Sequence, residues 1–151
     1  MNSGWGTLAL LATVLLATTS CNTRRPDRFL IPAGFKGWAK ISFQVASALP
    51  LPAENGYWLL RLDSEGHLQT SSMLEGGIAR DEYFYLANGR RTPLRKTDSC
   101  QGGNIWGVAT GSDPLSRRAD TEWFFVGSER EYRQAIDPGE RIYVPCLDSG
   151  R

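Results

Sequence analysis

The chain has 151 residues, 17 Lys and Arg against 16 Asp and Glu, and a hydrophobic content of 41%. This composition excludes a disordered polyelectrolyte, and a net charge of +1 gives no electrostatic footprint for nucleic acid. A single histidine argues against a His-rich metal centre, and no cofactor is implied. The length suits one domain.

Residues 1–20 are predicted to be a signal peptide. Their apolar run, residues 8–17, is too short for a bilayer-spanning helix of ~20 residues and fits the core of a secretory signal. Small residues follow this run and lead directly to Cys21. The arrangement resembles the lipobox of bacterial lipoprotein signals, in which the cysteine is diacylated and becomes the first mature residue. The resemblance implies lipid attachment at Cys21; the alternative is an ordinary signal cleaved near Ser20.

Residues 21–28 are polar, contain Pro26, and are predicted to be a short tether between the lipid and the domain. Arg24, Arg25 and Arg28 would then lie close to the membrane surface, where they could contact anionic headgroups. The alternative is a tether whose side chains are merely solvated.

Cys100 and Cys146 are the cysteines that remain if Cys21 carries lipid. Export would place them where disulfides persist, so we expect a Cys100–Cys146 disulfide. The alternative is two separate buried thiols. Neither cysteine belongs to a Cys-x-x-Cys motif, and His67 is the only other soft ligand considered, so the sequence predicts no metal site.

Residues 29–146 are predicted to form one β-rich domain, followed by a tail at 147–151. Alternating apolar and polar residues over 39–45 predict a half-buried strand, and apolar runs over 57–62 and 122–126 predict two more. Two cores within this length are disfavoured because small domains bury too little surface.

Turn sequences connect the predicted strands. A turn at 63–66 leads us to expect that residues 67–71 return as the hairpin partner of 57–62. The pair Asn88-Gly89 is a strong hairpin signal. The return strand after it contains Pro93, which cannot donate to a ladder, and is therefore predicted to be an edge strand.

A short helix is predicted near the C-terminal end of the domain. Ser128 and Glu131 match a capping box, and the helix is expected to end near Ala135, since a Pro-Gly pair follows. Six to seven short strands and one short C-terminal helix predict a mainly β fold, either a small antiparallel sandwich or an open barrel.

Residues 31–38 read Ile-Pro-Ala-Gly-Phe-Lys-Gly-Trp. This segment resembles the opening of a family of uncharacterised bacterial lipoproteins and exported proteins, a domain of unknown function, and weaker similarities extend the resemblance to roughly 29–127. The resemblance implies export and one compact domain, and no activity. Phe35 and Trp38 could form the tip of a recognition loop; the alternative is a structural plug that closes one end of the fold.

Arg90, Arg91 and Arg95 belong to a basic run that contains no acid. As a binding surface, the run could bind an anionic envelope polymer or lipid headgroups. The alternative is a charged edge strand that resists edge-to-edge aggregation.

Asp63, His67 and Ser71 place the residue types of a hydrolytic triad in one short window. A triad is defined by geometry, however, and no nucleophile-elbow motif surrounds Ser71. The interpretation we favour is an exposed hairpin histidine, and no catalytic residue is assigned.

The sequence therefore predicts a membrane-tethered lipoprotein of the bacterial envelope, lipid-anchored on the exported side of a membrane. Its domain would be a non-enzymatic binding or structural module whose partner is an envelope protein or glycan. The alternatives are a small exported hydrolase that uses His67, and an inhibitor or immunity-type lipoprotein.

Overall fold

The structure is a computed structural model that describes residues 23–97, 102–112 and 120–136. The predicted signal peptide, the tail and all three cysteines, Cys21, Cys100 and Cys146, lie outside the described residues. Lipid attachment and the disulfide therefore stay predictions.

The described residues form two β-sheets and one helix. The first sheet has the strand order β3-β4-β1-β6-β7, and the second has the order β5-β2-β9-β8. The bounds are β1 Asp27–Pro32, β2 Gly37–Ser42, β3 Ala53–Glu54, β4 Tyr57–Arg61, β5 His67–Gln69, β6 Glu82–Ala87, β7 Arg90–Leu94, β8 Ile105–Ser112, β9 Asp120–Val126 and α1 Glu129–Ala135. The predicted mainly β fold with a short C-terminal helix is confirmed, and neither described sheet closes into a barrel.

The strand pairing is mixed, whereas the sequence predicted antiparallel sheets. β1 runs parallel to both β4 and β6, and β2 runs parallel to β5. The expected hairpin between β4 and β5 was wrong, because the turn that follows β4 carries the chain to the other sheet. The four residues between β1 and β2 also cross between sheets, so β1 and β2 are not neighbours, and β4 and β6 join β1 in parallel.

The described part of the domain begins inside the segment predicted to be a tether. β1 begins at Asp27, and Thr23 already forms an isolated bridge with Ile78. The arginines expected at a membrane surface are held by the domain itself. Arg28 pairs with Glu82 at 2.8 Å and stacks over a tyrosine ring, and the Arg25 guanidinium lies 4.3 Å from the centroid of a tryptophan ring. These contacts fix the segment to the sheet.

The main core lies between the two sheets. Phe29 of β1 stacks on Tyr83 of β6 with ring centroids 4.6 Å apart, and Phe124 of β9 meets both rings edge-on at 5.1 and 5.2 Å. Since Phe124 belongs to the opposite sheet, this aromatic cluster joins the two layers of the sandwich. Burial of such rings supplies the largest share of apolar area in a small core.

The helix α1 covers the outer face of the second sheet. Its Tyr132 packs with Trp38, Trp106 and Phe125 in a second, smaller cluster. The predicted capping box is confirmed: the Ser128 hydroxyl accepts a hydrogen bond from the backbone of Glu131, and the Glu131 carboxylate accepts one from the Ser128 backbone at 2.7 Å.

Replacing Ser128 with Ala is expected to lower the free energy of unfolding by about 1 kcal/mol, because the first-turn N–H groups lose their side-chain acceptor. Urea unfolding followed by tryptophan fluorescence measures this difference. Ser47→Ala, in an exposed turn, is the matched control. A loss no larger than that of Ser47→Ala would show that the cap adds nothing to stability.

Candidate functional site

Two acids occupy core-facing positions at one end of the sandwich. In β1, Asp27 lies two residues before the buried Phe29, and in β9, Glu122 lies two residues before the buried Phe124. Since side chains two residues apart in a strand lie on the same face, both carboxylates lie on the core-facing side of their strands. The residues are only 8% and 4% exposed, respectively. One end of the core is therefore acidic.

A third carboxylate and one arginine join this pair. Arg24 contacts the carboxylates of Asp27 at 2.8 Å and Asp81 at 2.6 Å, and the other Asp81 oxygen accepts the Asp27 backbone N–H at 2.9 Å. Burial of the Arg24 guanidinium opposes its charge, but the hydrogen bond to Asp81 and the nearby carboxylates leave its pKa raised. The arginine therefore stays charged and holds the two aspartates together.

Glu122 is the carboxylate for which the cluster provides no direct partner. Within the described residues, it has no hydrogen-bond or ion-pair partner. Burial, reinforced by the charges of Asp27 and Asp81, raises its pKa to about 7. Burial also raises the pKa of Asp27 to about 6, against the opposing pull of Arg24. The acidic end of the core is thus poised to change charge near neutral pH.

The hydroxyl of Tyr83 lies in the core within electrostatic reach of these acids. It is buried and has no hydrogen-bond partner in the described structure. Burial raises its pKa well above the ordinary value, and the charges of Glu122, Asp81 and Asp27 add to the shift, which places the hydroxyl within their electrostatic reach. A buried, unbonded hydroxyl costs free energy, so Tyr83 adds an unfavourable polar group to this end of the core.

Arg24, Asp81 and Glu122 border a cleft of about 650 Å³, here called the acidic cleft. Among the described residues that line it, the charged ones are Arg24, Glu75, Asp81, Lys96, Asp120 and Glu122, and the larger apolar ones are Leu74, Ile78 and Val108. Acids outnumber bases in this lining. No three His, Cys, Asp or Glu side chains of the described structure are grouped so that they could hold a metal ion.

Sequence reasoning missed the acidic cleft, although a signal for it exists. The core-facing stripes of β1 and β9 each begin with an acid where the alternation calls for an apolar residue. A charge on the inward face of a predicted strand is unusual enough to mark a site. Nothing local shows that the two strands place those acids at the same end of the core.

The two aromatics predicted as a recognition tip are not brought together. The ring of Phe35 packs against the main core and lies over Gly66, whose added Cβ would come within 2.1 Å of it. Trp38 packs in the second cluster, 5.6 Å from the Phe125 ring centroid, on the other face of the second sheet. Both rings pack on the domain, in separate clusters.

The predicted basic run is divided between different environments. Arg91 makes a bidentate pair with Glu54 at 2.6 and 2.9 Å, across the first sheet, and its hydrogen bonds lower the pKa of Glu54 to about 2. Arg95 donates to the carbonyl of Gly102, and Arg90 is exposed at the tip of the β6–β7 hairpin. A continuous basic surface is therefore absent from the described residues of this run.

His67 lies on the surface with its side chain 52% exposed, and its Nδ1 is 3.9 Å from a carboxylate oxygen of Glu65. The Asp63 carboxylate instead accepts the backbone N–H groups of Glu65 and His67, both at 2.9 Å, and so closes the turn. The described residues contain no hydrogen bond between Asp63 and the imidazole, so the triad considered from the sequence is not assembled.

No helix in the described ranges has the length and apolar character needed to cross a bilayer. No curated protein matches the chain. The fold is similar to a crystal structure described as a "Putative Lipoprotein from Bacillus anthracis", at 20% identity and a TM-score of 0.57, covering 80% of this chain and 85% of that one. The sequence profile of a family of unknown function, DUF6843, matches residues 23–134. The expected membership of an uncharacterised family is confirmed: the chain belongs to the DUF6843 family.

Proposed function

We propose that this protein is a lipid-anchored lipoprotein of the bacterial envelope, and that its domain is a non-enzymatic binding module whose ligand enters the acidic cleft. The observation that carries the proposal is the position of Arg24. This residue lines the cleft, is fixed by Asp27 and Asp81, and lies three residues after Cys21.

The proposed lipid site is only a few residues from the cleft, so the anchor would also position the cleft. Three residues span at most ~10 Å, so a lipid on Cys21 would hold the wall of the cleft close to the membrane surface. The similarity in fold to a protein described as a lipoprotein supports the anchor.

Binding is the activity that the cleft geometry supports best. Glu122 lines the cleft and is only 4% exposed, and a buried carboxylate is unfavourable for folding and favourable for a ligand that bonds to it. Catalysis by His67 has no comparable support, because its side chain is on the surface and its only described ion-pair contact is Glu65.

Expression of the full chain with Cys21→Ser in a bacterial host tests the anchor. The unaltered chain is expected to incorporate radiolabelled palmitate and to sediment with membranes, and Cys21→Ser is expected to lose both properties. The double variant Cys100→Ser, Cys146→Ser is the matched control and should behave as the unaltered chain. Palmitate incorporation that survives Cys21→Ser would overturn the assignment of the lipid site.

A further inference from the structure

We propose that residues 141–145 of this chain pair with the outer edge of β8 as an antiparallel strand, and that this pairing brings Cys146 beside the segment that carries Cys100. Both cysteines and residues 141–145 lie outside the described residues. The pairing does not depend on a ligand in the acidic cleft.

β8 presents an edge that the described residues leave almost uncovered. It is the outer strand of the second sheet and, with eight residues, the longest strand described. One of its edges pairs with β9, whereas at the other the described residues supply only an isolated bridge between Lys96 and Ile105. The row of backbone N–H and C=O groups beyond Ile105 is therefore a template for another strand.

The other outer strands carry the usual protection against edge pairing, and β8 does not. β3 and β5 have only two and three residues, and β7 contains Pro93 and two arginines. The sequence of β8, Ile-Trp-Gly-Val-Ala-Thr-Gly-Ser, has no charged residue and no proline. An edge of this length and composition needs a cover.

The chain leaves α1 close to this edge. The Tyr132 ring of α1 stacks on Trp106 of β8, and a Cβ added at Gly107 would come within 2.6 Å of the Tyr132 hydroxyl oxygen. Ile136, which follows the helix with extended backbone, packs against the same cluster. The residues after Ile136 therefore start beside β8.

The sequence after α1 has the features of an added strand. Residues 137–139 read Asp-Pro-Gly, which favours a turn. Residues 141–144 read Arg-Ile-Tyr-Val, and three of these four are of the β-branched and aromatic types that strands favour. Pro145 cannot donate to a ladder and would end the pairing.

The connection is long enough for the proposed strand. The five residues from Ile136 to Arg141 reach at most ~17 Å. β8 rises only ~13 Å between Gly107 and Gly111. Arg141 can therefore lie beside Gly111, at the far end of β8, and the chain can return along the edge.

The predicted Cys100–Cys146 disulfide gives the orientation. Lys96 bridges Ile105 at the start of β8, and the Thr97 N–H donates to the Ile105 carbonyl at 3.1 Å, so the segment that leads to Cys100 begins at this end of the strand. An antiparallel strand ends here and brings Cys146 within reach. A parallel strand would leave Cys146 at the other end of β8, ~23 Å away, beyond the ~20 Å that four residues and a disulfide span.

Hydrogen–deuterium exchange of the full chain in a non-ionic detergent, measured by mass spectrometry, tests the pairing. The double variant Ile142→Pro, Tyr143→Pro removes two adjacent N–H donors, one of which faces β8 in either register. We expect the amides of residues 107–111 that do not bond to β9 to exchange about tenfold or more faster in this variant, and the amides of β1 to stay unchanged. The double variant Asp148→Pro, Ser149→Pro is the matched control and should exchange as the unaltered chain does.

A second measurement applies even where the proline variant fails to fold. Digestion without reduction of the unaltered chain, purified from an exporting bacterial host, should yield a peptide that links Cys100 to Cys146. Free thiols at both positions would overturn the proposal, as would unchanged exchange of residues 107–111 in a folded Ile142→Pro, Tyr143→Pro variant. Protection of residues 107–111 that persists in this variant and falls on dilution would assign the edge to a second copy of the chain, and would equally overturn it.

Discussion

The free energy of unfolding is expected to fall as the pH rises from 5 to 8, and Glu122→Gln is expected to remove most of that fall. Glu122 has an ordinary pKa of 4.5, which the fold raises to about 7, and the pKa of Asp27 rises from 3.8 to about 6. The folded chain therefore binds more protons than the unfolded chain throughout this range, so its stability decreases with pH.

The sign and size of this change in the free energy of unfolding follow from the buried carboxylates. Their stabilising contribution is complete below the unfolded pKa values and is lost as the pH rises through about 6 and about 7. For Glu122 alone, the loss is on the order of 3 kcal/mol. The groups that face it are Asp27, Asp81, Tyr83, Arg24 and Lys96, and the two bases reduce the loss without abolishing it.

Exposed ion pairs act in the opposite direction at low pH. Arg91 lowers the pKa of Glu54 to about 2, and Lys36 with Ser128 lowers that of Glu131 to about 2. Their contributions are present above the ordinary pKa of 4.5 and are lost as the pH falls through about 2. Stability should therefore be greatest near pH 5, between the two sets of transitions.

Urea unfolding at a series of pH values measures both effects. The Gln side chain keeps the shape of Glu122 and removes its charge, so this variant should be more stable than the unaltered chain at pH 8 and similar to it at pH 5. Glu65→Gln, at an exposed carboxylate, should leave the pH profile unchanged. A profile for Glu122→Gln that falls as steeply as that of the unaltered chain would contradict the assigned charge state.

Phe124→Ala is expected to lower the free energy of unfolding by about 3–5 kcal/mol, the range for deleting a buried aromatic ring. The ring contacts Phe29 and Tyr83 of the opposite sheet, so its loss opens a cavity at the joint between the two layers. A loss of this size is a large fraction of the stability of a small domain.

Chemical denaturation monitored by circular dichroism measures the change. Phe124→Leu retains much of the apolar volume and should lose less than half as much stability as Phe124→Ala. Phe84→Ala, at a half-buried position outside the main cluster, is the matched control. A loss for Phe124→Ala no greater than that for Phe84→Ala would show that the aromatic cluster does not hold the two sheets together.

Local features of this fold could be predicted because neighbouring residues decide them. The hairpin at Asn88-Gly89 forms with both residues at positive φ, and the strand that contains Pro93 is an edge strand, as the chemistry of these residues requires. The capping box at Ser128 is likewise an interaction within one turn. Each of these depends on residues less than six positions apart.

The partners of strands and of charged side chains were decided only by the tertiary structure. Arg24 meets Asp81 across 57 positions, and Arg91 meets Glu54 across 37, because β4 and β6 both pair in parallel with β1. Strand alternation indicates which face of the sheet a side chain occupies, but it does not indicate which strand lies beside it.

The acidic cleft likewise depends partly on local strand geometry and partly on the tertiary structure. The period of two within a strand puts Asp27 on the face of Phe29 and Glu122 on the face of Phe124, although the sequence placed Asp27 in the predicted tether. Only the packing of the two sheets decided that both acids occupy the same end of the core, within electrostatic reach of each other. The physical reason is that a strand fixes its own faces locally, whereas relative placement of two sheets follows from burying their apolar stripes against each other.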